Sequence, residues 1–303
     1  MLTTPTWIDA MPDTLPSLFL SHGSPMIAIE PGAAGRFMQQ LGPHIDALWG
    51  RPKAIVAVSP HSAARTPLVL GGARHEAIHD FGGFPQALYE IRYAAPGEPV
   101  LAGHVAERLQ QVDAQTQCID QGGLDHGIWT VLMHLYPQAD VPVVPVALPA
   151  DASPQMWMAL GAALAPLRAE GVLVMGSGSL THNLRRFFTR PTPVDAPEEP
   201  DCAAFRTWVA TRSEAGDWPA LLDYRQQAPH AVLMHPSDEH WLPFYFAAGA
   251  GADLEAGAAP LSVNRPSSAL RLHASVTHGH LAMDAYGFGP ADQLAKLAKV
   301  LSS

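Results

Sequence analysis

The stretch LFLSHGSPMIAIEPG, residues 18–32, decides the fold because it passes from a buried strand to a turn within a few residues. An apolar run ends in Ser21 and His22, and Gly23 and Pro25 then interrupt regular structure. A short apolar run bounded by such residues is typical of a buried β-strand. The sequence therefore places His22 at the tip of a strand, where a histidine needs an explanation.

The same pattern, an apolar strand followed by small residues and a histidine, occurs twice more. AIVAVSPHS brings His61 to the end of a second strand, and VLVMGSGSLTHNLRR brings His182 just past a glycine-rich turn. Asn183 and Leu184 then begin a predicted helix. Ligands of open α/β sheets bind beyond the carboxyl ends of the strands, so we expect these histidines to converge on one crevice.

Two further motifs carry histidines of the same kind. His126 lies in GGLDHGIW, and His240 lies beside Glu239 in HPSDEHWLPF, where Pro236 and Ser237 predict the start of a helix with His240 about one turn inside. Any single histidine among the 15 in the chain is more often a surface or hydrogen-bonded core residue. Together they indicate a divalent transition metal with open coordination positions.

Apolar β-rich runs alternate with longer helical segments, which indicates one α/β domain over residues 1–303 with a metal site at the strand ends. A hairpin predicted near residues 277–279 makes the central sheet mixed, with helices flanking it. Residues 190–200 and 249–260 are predicted surface loops. We predict strands near residues 15–20, 54–59, 141–148 and 172–176, and helices near 33–49, 99–112, 154–169 and 201–212.

Composition narrows the class of protein. A net charge of −10 without a Lys/Arg cluster argues against nucleic acid and anionic membranes as partners and favours a small, neutral or aromatic substrate. Cys118 and Cys202 are the only cysteines, and no signal-peptide pattern opens the chain, so we expect a cytoplasmic protein. No apolar run approaches the roughly 20 residues of a membrane span. The oligomeric state stays open, and a homo-oligomer is one alternative.

Three other motifs point to chemistry that their surroundings do not support. HEAIH (75–79) matches a zinc-protease pattern, but the glycines before it and DFGGFP after it leave no room for the helix that this pattern needs. HGH (278–280) falls at the predicted hairpin turn, where a local structural role is the first interpretation and metal binding a minor alternative. GSGS (176–179) lacks the lysine of a P-loop, and Met175 rules out a nucleophile elbow.

Six ordered motifs give the chain a resemblance to the DOPA-type extradiol aromatic ring-opening dioxygenases, in the superfamily of the protocatechuate 4,5-dioxygenase catalytic subunit. The resemblance covers residues 15–288 and implies a single α/β domain, mononuclear Fe(II) in the active enzyme and often Zn(II) in the purified protein. It also implies that a catechol is cleaved by O2 next to its two hydroxyls, giving a muconic semialdehyde. The motifs are LFLSHGSPM, VSPHS, HDFGGFPQALYEIRY, GGLDHGIWTVL, GSGSLTHNLR and HPSDEHWLPFYFAAGA.

Carried over position by position, the resemblance implies that His22, His61 and His240 are the metal ligands. The third ligand has an alternative, because the wider superfamily uses a carboxylate there and Glu239 adjoins His240. His235 is a further competitor, ranked below both.

The resemblance gives catalytic roles to two other histidines. His182 is the implied acid/base that takes a proton when the catechol binds and returns it later, a role that suits a side chain with a pKa of about 6.5. His126 is the implied contact of oxygen and substrate, or a residue just behind the ligands.

Aromatic side chains beside these motifs are candidates for stacking on the substrate ring, although aromatic residues at such spacings more often belong to the core. Gly82 and Gly83 fit either a flexible lid or an ordinary turn. Arg185 and Arg186 fit either a substrate carboxylate or surface ion pairs. The aromatic candidates are Phe84, Trp129 and Trp241, together with Phe81 and Tyr89.

Two other functions compete with the dioxygenase. A zinc-dependent hydrolase could use the same histidines to activate water, and a family member without catalysis could bind only a metal or a partner. Dependence on ferrous iron and oxygen separates these alternatives. Retention of all the motif histidines argues against the non-catalytic one.

Overall fold

The computed structural model describes residues 14–252 and 268–302. The strands are β1 (Ser17–Ser21), β2 (Ala54–Ala63), β3 (Leu68–Leu70), β4 (Arg74–His75), β5 (Ala95–Pro96), β6 (Gln117–Ile119), β7 (Val143–Leu148), β8 (Val172–Gly178), β9 (Ser268–His273), β10 (Val276–Thr277), β11 (Leu281–Ala282) and β12 (Ala285–Gly289). Eight of the strands in these residues form one large sheet, and the other four form two small two-stranded sheets, β4 with β5 and β10 with β11.

Helices connect and cover these strands. They are α1 (Gly32–Trp49), α2 (Gln86–Glu90), α3 (Pro99–Leu109), α4 (His126–Leu135), α5 (Pro154–Leu164), α6 (Leu184–Thr189), α7 (Pro200–Glu214), α8 (Trp218–Leu222), α9 (Tyr224–Gln227), α10 (Ala231–Met234), α11 (Leu242–Ala250) and α12 (Ala291–Leu301), with 3-10 turns at Pro25–Ala28 and Ala165–Glu170.

The eight-stranded sheet has the order β6-β3-β7-β2-β8-β1-β12-β9. Its centre is parallel, because β2 pairs in parallel with β7 and β8, and β8 with β1. Antiparallel pairing of β12 with β1 and of β3 with β7 makes the sheet mixed, which confirms the predicted α/β architecture. The carboxyl ends of β1, β2 and β8 therefore meet at one edge of the sheet.

Helices cover both faces of the sheet, and the side chains of the central strands alternate between two apolar cores. In β2, Val56 and Val58 pack with α3, α5, α7 and α11, whereas Ile55 and Ala57 pack with α1, α4 and α12. Alternation with a period of two is what a strand imposes when both of its faces are covered. The four residues are completely buried.

Gly176 and Gly178, which belong to β8 rather than to the predicted turn, let another segment approach the end of this strand. A Cβ atom at Gly176 would lie 2.2 Å from the carbonyl oxygen of Pro243, and one at Gly178 would lie 2.4 Å from that of His240. The backbone N–H of Ser179 donates to the His240 carbonyl at 2.9 Å. The residues before α11 are thus held against the end of β8, which brings His240 to the sheet edge.

The predicted elements agree with the structure except at a few positions. His240 does not lie inside a helix, because α11 begins at Leu242 and residues 236–241 form turns in which Trp241 N–H donates to Asp238. In the predicted loop 249–260, Gly249 and Ala250 still belong to α11, and residues 253–260 lie outside the described residues. A hairpin does turn at residues 278–280, between β10 and β11. Among the described residues, no helix is long and apolar enough to span a membrane.

Candidate active site

His22 and His61 meet where β1 and β2 end. His22 follows β1 directly, and its N–H donates to the carbonyl oxygen of Gly178 in β8 at 2.9 Å. Its side chain is buried, and its Nε2 lies 3.1 Å from Nε2 of His61 in β2. Two imidazoles that face each other through Nε2 at a sheet edge match the predicted convergence.

His126 reaches the same place from the first turn of α4. Asp125 caps this helix, since its Oδ1 accepts the N–H of Ile128 at 3.2 Å. The His126 ring centroid lies 3.9 Å from that of His61 and 5.6 Å from that of His22. The helix start therefore delivers a third imidazole to the two at the strand ends.

His182 and His240 complete the cluster from the other side. Their rings are stacked with centroids 3.4 Å apart, and the His240 ring lies 5.0 Å from that of His61. The His182 backbone is fixed by an N–H bond to the Met234 carbonyl at 2.8 Å. The histidines implied as ligands or catalytic residues, His22, His61, His126, His182 and His240, thus lie together.

The donor atoms of this site fall into two groups, each with its atoms within 4.8 Å of one another: His22, His61 and His126, and His182, Glu239 and His240. Glu239 Oε1 lies 3.1 Å from Nδ1 of His240, so the carboxylate contacts the ring whose place it would take. Both alternatives for the third ligand, the imidazole and the carboxylate, lie at the site.

Burial keeps the imidazoles of His22, His61, His182 and His240 uncharged at neutral pH. Desolvation, reinforced by the neighbouring histidines, lowers the pKa of His22 and of His240 well below the ordinary value. Burial likewise lowers the pKa of His61 to about 3 and that of His182 to about 4. Neutral imidazoles are the form that binds a metal ion, so the donor set fits a divalent transition metal.

These depressed pKa values predict that the metal-free protein loses stability in mild acid. Below pH 6.5 the unfolded chain binds protons at His61 and His182, whereas the folded chain does not. The free energy of unfolding therefore decreases as the pH is lowered, until the folded-state pKa values are reached. Each such group contributes a slope of about 1.4 kcal/mol per pH unit. From His61 and His182 alone we expect a loss of about 2 to 4 kcal/mol between pH 6.5 and 5 in urea unfolding, to which the other buried histidines with lowered pKa values add.

The matched control for this measurement is His61→Gln, which removes one of the histidines with a lowered pKa and should make the pH slope shallower. A free energy of unfolding that stays constant over this range in the metal-free wild type would contradict neutral burial of the cluster.

Asp80 is a residue of this site that the sequence analysis missed. Its Oδ2 lies 3.0 Å from Nδ1 of His126, and its Oδ1 accepts the His126 backbone N–H at 2.9 Å. Partial burial opposes ionisation, yet these hydrogen bonds hold the pKa of Asp80 below its ordinary value. The carboxylate therefore keeps a proton on Nδ1 of His126, which leaves the lone pair of that ring on Nε2.

Gly127 was missed as well, and it is required by close packing. A Cβ atom at this position would lie 2.3 Å from Ser59 Oγ and 3.1 Å from ring carbons of His22 and His61. The glycine lets the start of α4 lie against both imidazoles. Its only sequence signal is its place after His126.

Half-buried aromatic side chains stand beside the histidines on the loop between β4 and α2. The ring of Phe81 lies 5.6 Å from that of His126 and 5.3 Å from that of Phe84. Trp129 is fully buried beneath this loop, where its indole N–H donates to the Ile78 carbonyl at 2.9 Å. Phe84 therefore remains a candidate for the substrate pocket. Trp129 instead holds the loop through its hydrogen bond to Ile78.

Trp241 lies in the hydrophobic core, which corrects the prediction that it contacts substrate. Its side chain has no exposed surface, stacks on Phe244 with centroids 4.3 Å apart and donates its N–H to Tyr245 at 2.9 Å. The indole of Trp241, a pocket candidate in the sequence, instead belongs to the apolar packing of α11 on the sheet.

Arg186 is not available for a substrate carboxylate. Its guanidinium pairs with Asp201 through two hydrogen bonds and with Glu199, which are the ion pairs named as its alternative. Arg185 is exposed on α6.

His235, the lowest-ranked alternative ligand, lies outside both donor groups. Its Nε2 lies 2.8 Å from the carbonyl oxygen of Leu180, so that nitrogen carries a proton and bonds the backbone. Burial lowers its pKa to about 4. The structure thus gives His235 a backbone partner in the segment between β8 and His182.

Two of the motifs set aside in the sequence, HEAIH and HGH, make local hydrogen bonds in the structure. His75 of HEAIH lies in β4 rather than in a helix, and the backbone N–H of Gly123 donates to its Nδ1 at 3.1 Å. His278 of HGH occupies the hairpin turn with a φ of 56°, where its Nδ1 bonds the Thr192 carbonyl at 2.9 Å.

Comparison with known proteins identifies the class that this fold and site define. The family model described as the catalytic LigB subunit of aromatic ring-opening dioxygenase matches residues 16–268. The chain belongs to this family and is a metal-dependent extradiol ring-opening dioxygenase, which takes an aromatic substrate and O2.

Individual relatives agree with the family. The chain is 36% identical over 239 residues to a protein of Beta vulgaris named 4,5-DOPA dioxygenase extradiol, covering 78% of this chain and 87% of the relative. It is 38% identical over 240 residues to the Escherichia coli K12 protein of the same name, covering 78% and 85%. The crystal structure of an uncharacterized Escherichia coli K12 protein matches with a TM-score of 0.69 at 27% identity, covering 91% of this chain and 100% of that one.

Proposed function

We propose that this protein cleaves a catechol-type ring with O2 next to its two hydroxyls at a mononuclear Fe(II) site and gives a muconic semialdehyde. One observation carries the proposal: the neutral imidazoles of His22, His61 and His240 converge at the carboxyl ends of parallel strands, with His182 and His126 beside them. The names of the relatives make DOPA and other substituted catechols the first substrates to test.

His22, His61 and His240 would hold the metal, with Glu239 as the alternative to His240. When bound there, Fe(II) supplies coordination positions for both catechol oxygens and for O2, and a path for electrons between them. Zn(II) fits the same imidazoles but has no redox chemistry, so it suits a purified protein better than an active one.

His182 would accept the proton that a catechol hydroxyl loses on binding. Burial keeps its imidazole neutral at pH 7, and the ring is stacked on His240, next to the proposed ligands. A neutral imidazole in this place takes the proton and later returns it to the oxygen of the opening ring. His182 thus acts as base and then as acid.

His126 would contact the substrate or oxygen from the opposite side of the site. Its proton is held on Nδ1 by Asp80, so its Nε2 accepts a hydrogen bond. Phe81 and Phe84, on the loop that carries Asp80, would cover the aromatic ring and exclude water. The loop would thus place the carboxylate that orients His126 together with the apolar wall of the pocket.

Anaerobic reconstitution tests the proposal. The metal-free protein is loaded with Fe(II) or, as the control, with Zn(II), then mixed with DOPA and a panel of catechols, and exposed to air. We expect oxygen uptake of one equivalent per catechol and a new yellow, pH-sensitive absorbance in the iron sample alone. An iron-filled protein that is silent with every catechol, or turnover of an ester or amide by the zinc sample, would overturn it.

A further inference from the structure

Ser177 places a hydroxyl behind the first imidazole of the site. It lies in β8, is completely buried, and its Oγ lies 2.9 Å from Nδ1 of His22. The same Oγ lies 2.5 Å from the carbonyl oxygen of Gly127 in α4. One hydroxyl therefore connects β8, the residue at the end of β1 and the first turn of α4.

The direction of these two hydrogen bonds follows from the atoms involved. A carbonyl oxygen has no proton to give, so the single hydroxyl proton of Ser177 goes to Gly127. Only lone pairs of Ser177 then face His22, and Nδ1 of His22 must be the donor.

This direction fixes the state of the other ring nitrogen. A neutral imidazole, the form that binds a metal ion, carries a single proton. With that proton on Nδ1, Nε2 keeps its lone pair, and Nε2 is the atom that faces His61 at 3.1 Å. The opposite tautomer would put a proton between the two nitrogens and leave Nδ1 and Ser177 with lone pairs facing each other.

We propose that Ser177 is a positioning residue that holds His22 in its Nδ1–H tautomer and so presents Nε2 to the metal, with the Gly127 carbonyl setting the direction of the hydroxyl. The inference rests on the metal site of the proposed function. Orientation of a ligating histidine by a hydrogen-bonding partner commonly changes metal affinity by 10- to 100-fold.

Ser179, which follows β8 directly, provides a matched control. It is also completely buried, and its hydroxyl donates to the Thr181 carbonyl at 2.7 Å. Ser179→Ala removes the same group from the same kind of surroundings without touching an imidazole.

The experiment measures the Zn(II) dissociation constant of the purified protein by competition with a chelator, together with urea unfolding. Ser177→Ala should raise the dissociation constant about 10- to 100-fold. Ser179→Ala should leave it within about two-fold, although both variants lose stability by similar amounts.

Nuclear magnetic resonance of the metal-free wild type, labelled with 15N-histidine, reads the tautomer directly, with His22 assigned by its absence in His22→Gln. We expect Nδ1–H in the wild type and a shift toward Nε2–H in Ser177→Ala. An Nε2–H tautomer in the wild type, or unchanged zinc affinity in Ser177→Ala, would overturn the inference. Absence of metal binding by the wild type would instead count against the proposed function, and the wild-type tautomer would still decide the role of Ser177.

Discussion

His22→Ala should abolish tight metal binding while the protein stays folded. The substitution deletes one of three proposed ligands, so the affinity for Fe(II) or Zn(II) should fall by more than about 100-fold, beyond the range reached by removing an orienting partner. The sheet should persist, because β1 is held by β8 and β12 through its backbone. Metal content after dialysis, measured by elemental analysis, and circular dichroism test the two halves of this prediction.

His134→Ala is the matched control for His22→Ala. His134 is also a buried histidine, but it bonds the Ile27 carbonyl from α4 at 2.8 Å and lies outside both donor groups. It should lose stability and keep its metal. Full metal content in folded His22→Ala would show that His22 is not a ligand.

His182→Gln should lower the turnover number about 100- to 10,000-fold, the usual contribution of a general acid/base. Glutamine retains a polar side chain of similar size but cannot take and return a proton at neutral pH. Because the proposed ligands are left in place, the metal dissociation constant should change little. Oxygen uptake by the iron-loaded variant at saturating catechol measures the turnover, and chelator competition measures the binding.

The two readouts together separate the roles open to His182, which shares a donor group with Glu239 and His240. If His182→Gln loses metal affinity and turnover together, His182 is a ligand. If its turnover is undiminished, His182 takes no part in the reaction. His280→Gln is the control, since that buried histidine bonds the His278 carbonyl in the hairpin turn at 2.7 Å.

The centre of the sheet was predictable because its strands are buried on both faces and therefore read as unbroken apolar runs, as in β2 and β8. The strands at or next to the edges of the sheet could not be predicted in this way. β3 and β6 have three residues each, and β9 is half-exposed, so their conformation comes from pairing with a neighbour rather than from a local pattern. The mixed character was indicated by the hairpin pattern around residue 278, whose outer strands β9 and β12 pair antiparallel in the large sheet. The antiparallel pairing of β3 with β7 had no signal in the sequence.

The site divides in the same way. His22, His61 and His182 follow strands, so the topology of parallel sheets was enough to bring them together. Asp80 and Ser177 act through partners that are 46 and 155 residues away in the chain, and nothing in the local sequence announces such contacts. Trp241 shows the converse: its place beside His240 in sequence says nothing about which way the ring points.

The spacing of the proposed ligands along the chain has a consequence for biosynthesis. His22 and His61 belong to the first strands, whereas His240 comes after β8. A growing polypeptide that has completed β1 and β2 offers two of the proposed ligands, and His126 later brings a third donor atom near them. Under the proposed assignment, however, the ligand set is complete only after residue 240 has been made and β8 has joined the sheet, so the reactive site is assembled late in synthesis.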